Sequence, residues 1–110
     1  MFADAAPNVF SAIYMCCGSI DLRKQIDGLV NELTYTYHVN PYLTENVLFL
    51  FIGKTNSYKI KGLLMEKNGF VLINKRLRTG SYKWIHSSEG VIKEISYEQY
   101  LRLMNGEKIE

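Results

Sequence analysis

Apolar and polar side chains alternate on both sides of Asn68-Gly69, within residues 58–84. Alternation with a period of two is typical of β-strands. An Asn-Gly pair between two such runs predicts a hairpin with a type I′ turn, because both central residues of that turn need a positive φ. A second turn at residues 79–81 directs the chain back towards Tyr82 and Trp84, so we predict an antiparallel meander of three strands. The residues expected to be buried in this meander are Ile60, Leu64, Phe70, Leu72 and Leu77.

A continuous apolar run, V-L-F-L-F-I, occupies residues 47–52. It is too short for a helix and rich in residues that favour strands, which predicts a central strand buried on both faces. Residues 9–16 are apolar enough for a first strand that ends at Gly18, and residues 91–95 predict a short last strand.

Two further segments predict helices. The first follows Ser19 or Asp21, either of which can cap it. Gly28 in its middle costs about 1 kcal/mol relative to Ala, which suggests that a neighbour packs closely there. The second helix is short, since residues 96–99 form a capping box and Gly106 follows its C-terminus. The apolar stripe of the first helix has the 3.6-residue period and comprises Leu22, Ile26, Leu29, Val30, Leu33 and Tyr37.

These elements predict an α+β fold. We expect a mostly antiparallel sheet of about five strands, with one longer helix and one short C-terminal helix, both on one face of the sheet. A chain of 110 residues has the length of a single domain. Within it we expect residues 1–9 to form a loose leader and residues 10–106 to form the globular part.

Basic residues are concentrated in the middle of the chain. Residues 53–84 contain six Lys and two Arg against one acidic residue, a net charge of +7, whereas the remaining residues have five basic and ten acidic side chains, a net charge of −5. Such an asymmetry favours a polyanionic partner such as nucleic acid. The alternative is a lysine-rich, solvated sheet surface that protects an edge.

Cations and aromatic rings occur together in this basic region. Cations can make salt-dependent contacts with phosphates, and aromatic rings can stack on unpaired bases. For Trp84, the alternative is a place in the hydrophobic core. The candidate nucleic-acid-binding residues are Lys59, Lys61, Lys75, Arg76, Arg78, Lys83 and Trp84.

The sequence contains no spacing typical of a catalytic or metal site. Asp21 and Asp27 are six residues apart and would not share a helix face. His38 and His86 have no Cys or acidic residue at metal-ligand spacing, and Cys16 has no base beside it. We therefore expect no catalytic residue, no metal and no cofactor.

The cysteines and the apolar runs indicate the compartment. Cys16 and Cys17 are adjacent, which in a strand directs them to opposite faces and provides no disulfide framework. No apolar run approaches the length needed to cross a bilayer, and the N-terminal residues lack a basic signal region. We expect a cytoplasmic protein that does not contact membranes.

Several motifs match one known family in order and spacing. Residues 21–29, D-L-R-K-Q-I-D-G-L, resemble a D-M-R-K-x-I-D-G-L signature, and residues 40–42, N-P-Y, stand where that family has D-P-F. Residues 47–51 resemble its L-F-V-F strand. Residues 69–84 follow its pattern G-F-x-L-x-x-K-R-L-x-x-G-x-x-x-W. Over roughly residues 12–106, the chain thus resembles the accessory proteins encoded by the second reading frame of family 66 insertion sequences (Orf2-like, TnpB-type, unrelated to the RNA-guided nucleases called TnpB).

The resemblance implies a part in transposition, beside a separate and larger transposase that carries the DNA-cutting acids. It also implies DNA or that transposase as the partner. The chain departs from the family at residues 52–61, I-G-K-T-N-S-Y-K-I-K, where the family usually has F-R-N-R-R-R-D-R-I-K. Lysine lacks the bidentate fork of arginine, so strong phosphate binding is not carried over to this segment.

Three hypotheses for the function follow. The first is a non-catalytic accessory protein that binds DNA, at the element ends, through its basic strands. The second is a protein–protein module that docks the transposase through an exposed helix face formed by Arg23, Lys24 and Asp27. The third is a small metal-dependent nuclease that uses scattered acids such as Asp21 and Glu66. The sequence leaves the oligomeric state open.

Overall fold

The structure of the protein, a computed structural model, describes residues 9–54 and 58–109. The predicted leader, residues 1–9, therefore lies outside the described residues except for Val9. Strands and helices fall in the order β1 (Ala12–Ile20), α1 (Ile26–Asn31), β2 (Val47–Gly53), β3 (Lys59–Glu66), β4 (Gly69–Arg76), β5 (Ile92–Ile95) and α2 (Tyr97–Met104). A π-helical segment (Glu32–Thr36) continues α1, and a short 3₁₀ turn (Pro41–Leu43) precedes β2.

The five strands form one mixed sheet in the order β4-β3-β2-β1-β5. The neighbours β1 and β2 are parallel, and the other three pairs are antiparallel. The parallel pair is possible because α1 and the residues around it form the long crossover that parallel neighbours require. The predicted class, α+β with a mostly antiparallel sheet and a longer and a shorter helix, is confirmed.

The central strand β2 is buried at every position, as its continuous apolar run predicts. Its side chains alternate between two hydrophobic cores, one on each face of the sheet. Towards α2 the strand presents Leu48, Leu50 and Ile52, and towards α1 it presents Val47, Phe49 and Phe51. The expectation that both helices share one face is therefore wrong, because a strand that is apolar on both sides needs cover on both sides.

The apolar stripe of the first helix is confirmed, but its predicted start is not. Leu29 and Leu33 are buried on the α1 side. Ser19 belongs to β1, and Gln25 precedes α1 without a side-chain cap. The strand also continues past Gly18, where the Tyr37 hydroxyl and the Glu89 Cα would lie 3.1 and 3.0 Å from an added Cβ. A glycine is needed there because these two groups approach the strand closely, not because the strand ends.

Helix α2 begins and ends as its sequence predicts. The backbone N–H of Gln99 donates to the Ser96 hydroxyl (3.1 Å), and the Gln99 side chain accepts from the Ser96 N–H (2.8 Å), which completes the capping box. At the other end, Gly106 has a φ of 78°. Its N–H and that of Glu107 donate to carbonyls of the last helical turn, which is the Schellman arrangement.

The predicted hairpin forms, with its turn one residue earlier than expected. Glu66 pairs with Gly69, so the two-residue loop consists of Lys67 and Asn68. Among the described residues, positive φ values do not occur at any of these positions, so the turn is not type I′. The hairpin therefore depends on packing of its two strands and not on the conformational preference of Asn-Gly.

The third strand of the meander is absent, which corrects the prediction for Tyr82 and Trp84. Residues 77–91 form no strand; they cross the α2 side of the sheet, where both aromatic side chains are buried. The segment reaches β1, whose Cys17 exchanges backbone hydrogen bonds with Ser87 (3.1 Å) and Val91 (2.8 Å). Cys16 and Cys17 face opposite cores, as expected. In the described part of the chain, no helix is long and apolar enough to span a membrane.

Replacing Tyr82 with phenylalanine tests the burial of this crossing segment. Burial raises the pKa of Tyr82 to about 12, from an ordinary value of 10.0. The folded state holds the Tyr82 phenol proton more tightly than the unfolded state does. The stability that this protonation contributes is therefore fully present below pH 10 and is lost as the pH rises through 12. Over that interval the wild type should lose about 2–3 kcal/mol more free energy of unfolding than Tyr82→Phe.

Urea unfolding at neutral pH, at pH 10 and at pH 12 measures this difference. The exposed Tyr35→Phe variant is the control, and its pH profile should follow that of the wild type. If Tyr82→Phe also followed the wild type, the hydroxyl would not be buried in the folded protein.

Candidate nucleic-acid interface

Four strand ends meet at one end of the sheet and gather basic residues there. The parallel strands β1 and β2 end together, with Ile20 opposite Gly53, while β3 begins and β4 ends beside them. We call this the basic end of the sheet. Its cations are Arg23, Lys24, Lys54, Lys59, Lys61 and Arg76.

Two of the predicted nucleic-acid-binding residues stand side by side at the basic end. Lys59 and Arg76 are directly opposite each other on β3 and β4. The Tyr58 ring lies close to both cations, with its centroid 5.6 Å from Lys59 Nζ and 5.4 Å from Arg76 Cζ. Its negative face offsets part of the repulsion between them. Arg76 is exposed and Lys59 is half-buried, so solvent and an anion can reach the pair.

A groove of about 430 Å³ runs beside this pair. Leu22 and Gln25 line one side of it, and Lys59, Asn74 and Arg76 line the strand side. The groove is therefore formed where the chain between β1 and α1 passes over the ends of β3 and β4.

Lys61, a predicted nucleic-acid-binding residue, is buried and does not project from the sheet surface. The residue is 6% exposed, and its Nζ donates a hydrogen bond to the Lys24 carbonyl. Burial lowers the pKa of the Lys61 ammonium, and the charge of Asp21 partly opposes this effect. Lys61 thus attaches the segment before α1 to the sheet and is not available to contact phosphate.

The motif D-L-R-K at residues 21–24 forms the turn from β1 into α1. Asp21 Oδ1 accepts from the backbone N–H and the Nε of Arg23 (2.9 and 3.0 Å), and Oδ2 accepts from its Nη2 (2.7 Å). These hydrogen bonds hold the pKa of the Asp21 carboxyl well below its usual range. Leu22 fills the space over Gly53, where an added Cβ would lie 2.6 Å from its Cδ1.

Lys24 completes this turn. Its side chain packs against Gly28, where an added Cβ would lie 3.2 Å from Lys24 Cβ, and this is the close packing that the mid-helix glycine predicts. Its Nζ lies 3.8 Å from Glu32. Arg23 and Lys24, proposed from sequence to dock a partner together with Asp27, are therefore paired with acids of the same chain.

The other predicted nucleic-acid-binding residues are not part of this pair, although Lys75 also lines the groove beside it. Lys75 points to the α2 side, where its Nζ donates to the Met104 carbonyl (3.3 Å) at the C-terminus of α2, a favourable place for a cation. Arg78 and Lys83 are exposed in the segment after β4. Trp84 is 8% exposed within the α2-side core, so the alternative assignment to the core is correct and the indole cannot stack on a base.

The acids and the thiol considered for catalysis are separated. Asp21 follows the end of β1, whereas Glu66 lies beside the start of β2, about 20 Å away along the strands. Burial raises the pKa of Cys16 well above its ordinary value, which disfavours the nucleophilic thiolate. Within residues 9–54 and 58–109, no three His, Cys, Asp or Glu side chains are grouped closely enough to hold a metal ion.

Tyr58 and Leu22 are the site residues that the sequence analysis did not identify. The role of Tyr58 depends on Lys59 lying opposite Arg76, which only the hairpin register decides. The role of Leu22 depends on Gly53, which is brought next to it by the parallel pairing of β1 and β2. Neither arrangement has a local signal in the sequence.

The fold and this geometry define a small α+β protein with an exposed basic end on its sheet. A family model described as "IS66 Orf2 like protein" matches residues 11–110, nearly the whole chain. The chain belongs to the IS66 Orf2-like family, as its motifs indicated, and is thereby an accessory protein of insertion-sequence transposition. A comparison with curated proteins found no match, and a comparison with solved structures found none.

Replacing Lys61 with methionine tests its role as an attachment point. Methionine keeps an apolar stem of similar length but leaves the Lys24 carbonyl without its charged donor. We expect the free energy of unfolding to fall by about 1–3 kcal/mol. Urea unfolding followed by the fluorescence of Trp84, the single tryptophan, measures it.

Lys59→Met is the matched control, since it removes a half-buried lysine two residues away on the same strand. Its loss of stability should be below about 1 kcal/mol. Equal losses of stability in both variants would show that the Lys61 hydrogen bond makes no specific contribution to the free energy of unfolding.

Proposed function

We propose that the protein is a non-catalytic accessory factor that contacts DNA through its basic end while a separate transposase cuts the DNA. Family membership supports the role in transposition. The observation that supports the DNA contact is the solvent-accessible pair of Lys59 and Arg76 beside Tyr58.

The charge balance at the basic end supports an anionic ligand. Two cations directly opposite each other on neighbouring strands destabilise a sheet unless an anion or a ring compensates for them. Tyr58 compensates in part, and no acidic side chain of the described residues forms an ion pair with either cation. Arginine adds a planar fork that can hold two phosphate oxygens.

The acidic residues near the basic end reduce its positive potential less than their number suggests. Asp21 is neutralised by Arg23 at 2.7 Å, and Glu32 has Lys24 at 3.8 Å. Glu89 lines the same pocket as Lys54, so the cations that remain for a ligand at this end are Lys59 and Arg76. A phosphate backbone is a ligand of matching charge, and every neutralised phosphate makes binding more salt-dependent.

The double variant Lys59→Gln/Arg76→Gln tests this proposal. Its affinity for DNA should fall, and the slope of log K against log salt should become shallower by about 2, because two fewer phosphates are neutralised. Fluorescence anisotropy with element-end DNA and scrambled DNA, over a series of salt concentrations, measures both quantities. Lys75 is kept unchanged because its side chain contacts the C-terminus of α2.

Lys93→Gln/Arg102→Gln is the matched control, because it removes the same formal charge at exposed positions on β5 and α2. Its salt slope should equal that of the wild type. Equal effects of the two double variants would mean that only net charge matters, and an unchanged affinity of Lys59→Gln/Arg76→Gln would refute the proposed surface. Tighter binding to element-end DNA than to scrambled DNA would show that the protein recognises the element ends.

The alternative is a module that docks the transposase without contacting DNA. It is favoured by exposed apolar side chains at the opposite end of the sheet from the basic end, with Tyr42 70% and Leu43 83% exposed. Charge reversal at Arg23, Lys24 and Asp27, or Tyr42→Ser/Leu43→Ser, should then abolish co-purification of the transposase. This alternative replaces the first if the wild type fails to bind DNA at low salt.

A further inference from the structure

The outer edge of β4 presents backbone hydrogen-bonding groups with no partner in the described residues. The N–H of Leu77 donates to the Tyr58 carbonyl (2.8 Å), so Leu77 faces β3. Backbone groups alternate in direction along a strand, and the β3–β4 register has no irregularity. The groups that point outwards are therefore those of Phe70, Leu72, Asn74 and Arg76.

Apolar side chains accompany this edge on both faces of the sheet. Phe70 and Leu72 are half-buried on the α1 side, and Val71 and Ile73 are half-buried on the α2 side. Every residue of β2, by contrast, is buried. An additional strand beside β4 would remove these four side chains from water on both faces at once.

The other edge of the sheet is built differently. Strand β5 has four residues, and its central Lys93 and Glu94 are exposed. Short, charged edges are a common protection against pairing with another chain. The β4 edge has eight residues and four consecutive apolar ones, with charges only at Lys75 and Arg76. It lacks this protection over most of its length.

We infer that β4 pairs antiparallel with β4 of a second copy of this chain, which joins two five-stranded sheets into one. A second copy fits because the strand is complementary to itself. Antiparallel pairing about a two-fold axis normal to the sheet keeps the α1 side of both copies on the same face. Even-numbered residues must then lie opposite even-numbered ones.

A register centred on Leu72 satisfies this condition and places matching residues together. Leu72 lies opposite its counterpart, Val71 lies opposite Ile73 of the second copy, and Lys75 lies opposite Gly69. The space around Gly69 is open, since nothing lies within 4 Å of an added Cβ. Glu66 is the cross-strand neighbour of Gly69 on β3, so a negative charge lies near the incoming lysine.

Equivalent cations of the two copies are kept apart in this register. The two copies of Lys75 are six residues apart along the paired strands, about 20 Å, and those of Arg76 are farther apart still. Both separations exceed the Debye length of about 8 Å at physiological ionic strength. Repulsion between equivalent cations therefore does not oppose the pairing. Lys67 of the second copy comes opposite Leu77, between Arg76 and Arg78, and the Glu66 of that copy, opposite Arg78, offsets its charge.

Asn74→Pro tests the inference in the full-length chain. The Asn74 N–H points outwards, so proline removes a donor of the proposed interface but none of the hydrogen bonds to β3. Asn74→Thr is the matched control, because threonine keeps the N–H and favours strands. Light scattering coupled to size-exclusion chromatography should give twice the monomer mass for the wild type and Asn74→Thr, and the monomer mass for Asn74→Pro.

The inference is overturned if the wild type is monomeric at all accessible concentrations. This includes the case in which a strand of another protein occupies the β4 edge. A dimeric Asn74→Pro that retains its circular dichroism spectrum also overturns it.

A second measurement does not depend on how Asn74→Pro folds. Under mild oxidation Leu72→Cys should form a disulfide-linked dimer, since Cα atoms of such a pair are about 5.5 Å apart, and the native Cys16 and Cys17 are buried. Failure of Leu72→Cys to cross-link overturns the proposed register.

Discussion

The burial of β2 on both faces is the constraint on which the rest of the structure depends. A strand whose seven residues are all buried cannot lie on the surface of a two-layer fold. One layer is provided by α1 and the π-helical segment. The other needs more than α2, which has eight residues and is about 12 Å long. Residues 77–91 supply the missing cover, and for this reason Tyr82 and Trp84 pack in the core.

The D-L-R-K motif, one of the motifs that carry the family resemblance, forms a structural turn. At residues 21–24 the chain leaves the parallel strand β1 and must reach α1 on one face of the sheet. The Asp21–Arg23 hydrogen bonds shape the turn, Leu22 occupies the space over Gly53, and Lys61 holds the Lys24 carbonyl. The same turn covers the ends of β3 and β4, so it also creates the groove beside Arg76. A motif can therefore be characteristic of a family through its folding role, while the proposed ligand contacts lie on other residues.

The sequence predicts those features that depend on neighbouring residues. The apolar run of β2, the stripe of α1, the capping box of α2 and the opposite directions of Cys16 and Cys17 all follow from local periodicity or local hydrogen bonding. These predictions are correct because each concerns a single element and its immediate flanks.

Features that depend on pairing between distant residues cannot be predicted from local sequence patterns. A turn centred one residue later would shift the hairpin register by two and place Lys59 opposite Arg78 instead of Arg76. The burial of Lys61 requires a carbonyl 37 positions away. The net charge of the middle of the chain therefore overstates its basic surface, because Lys61 is buried inside the fold and Lys75 contacts α2.

Strand β4 connects the two proposals made for this protein. Its last residue, Arg76, belongs to the basic end, and its outer backbone groups form the proposed dimer edge. Because antiparallel pairing reverses the strand, the two basic ends of the dimer point in opposite directions. Each can then contact a separate DNA segment, whereas a monomer has only one such end. Transposition brings two ends of an element together, and the proposed dimer would offer one basic surface to each.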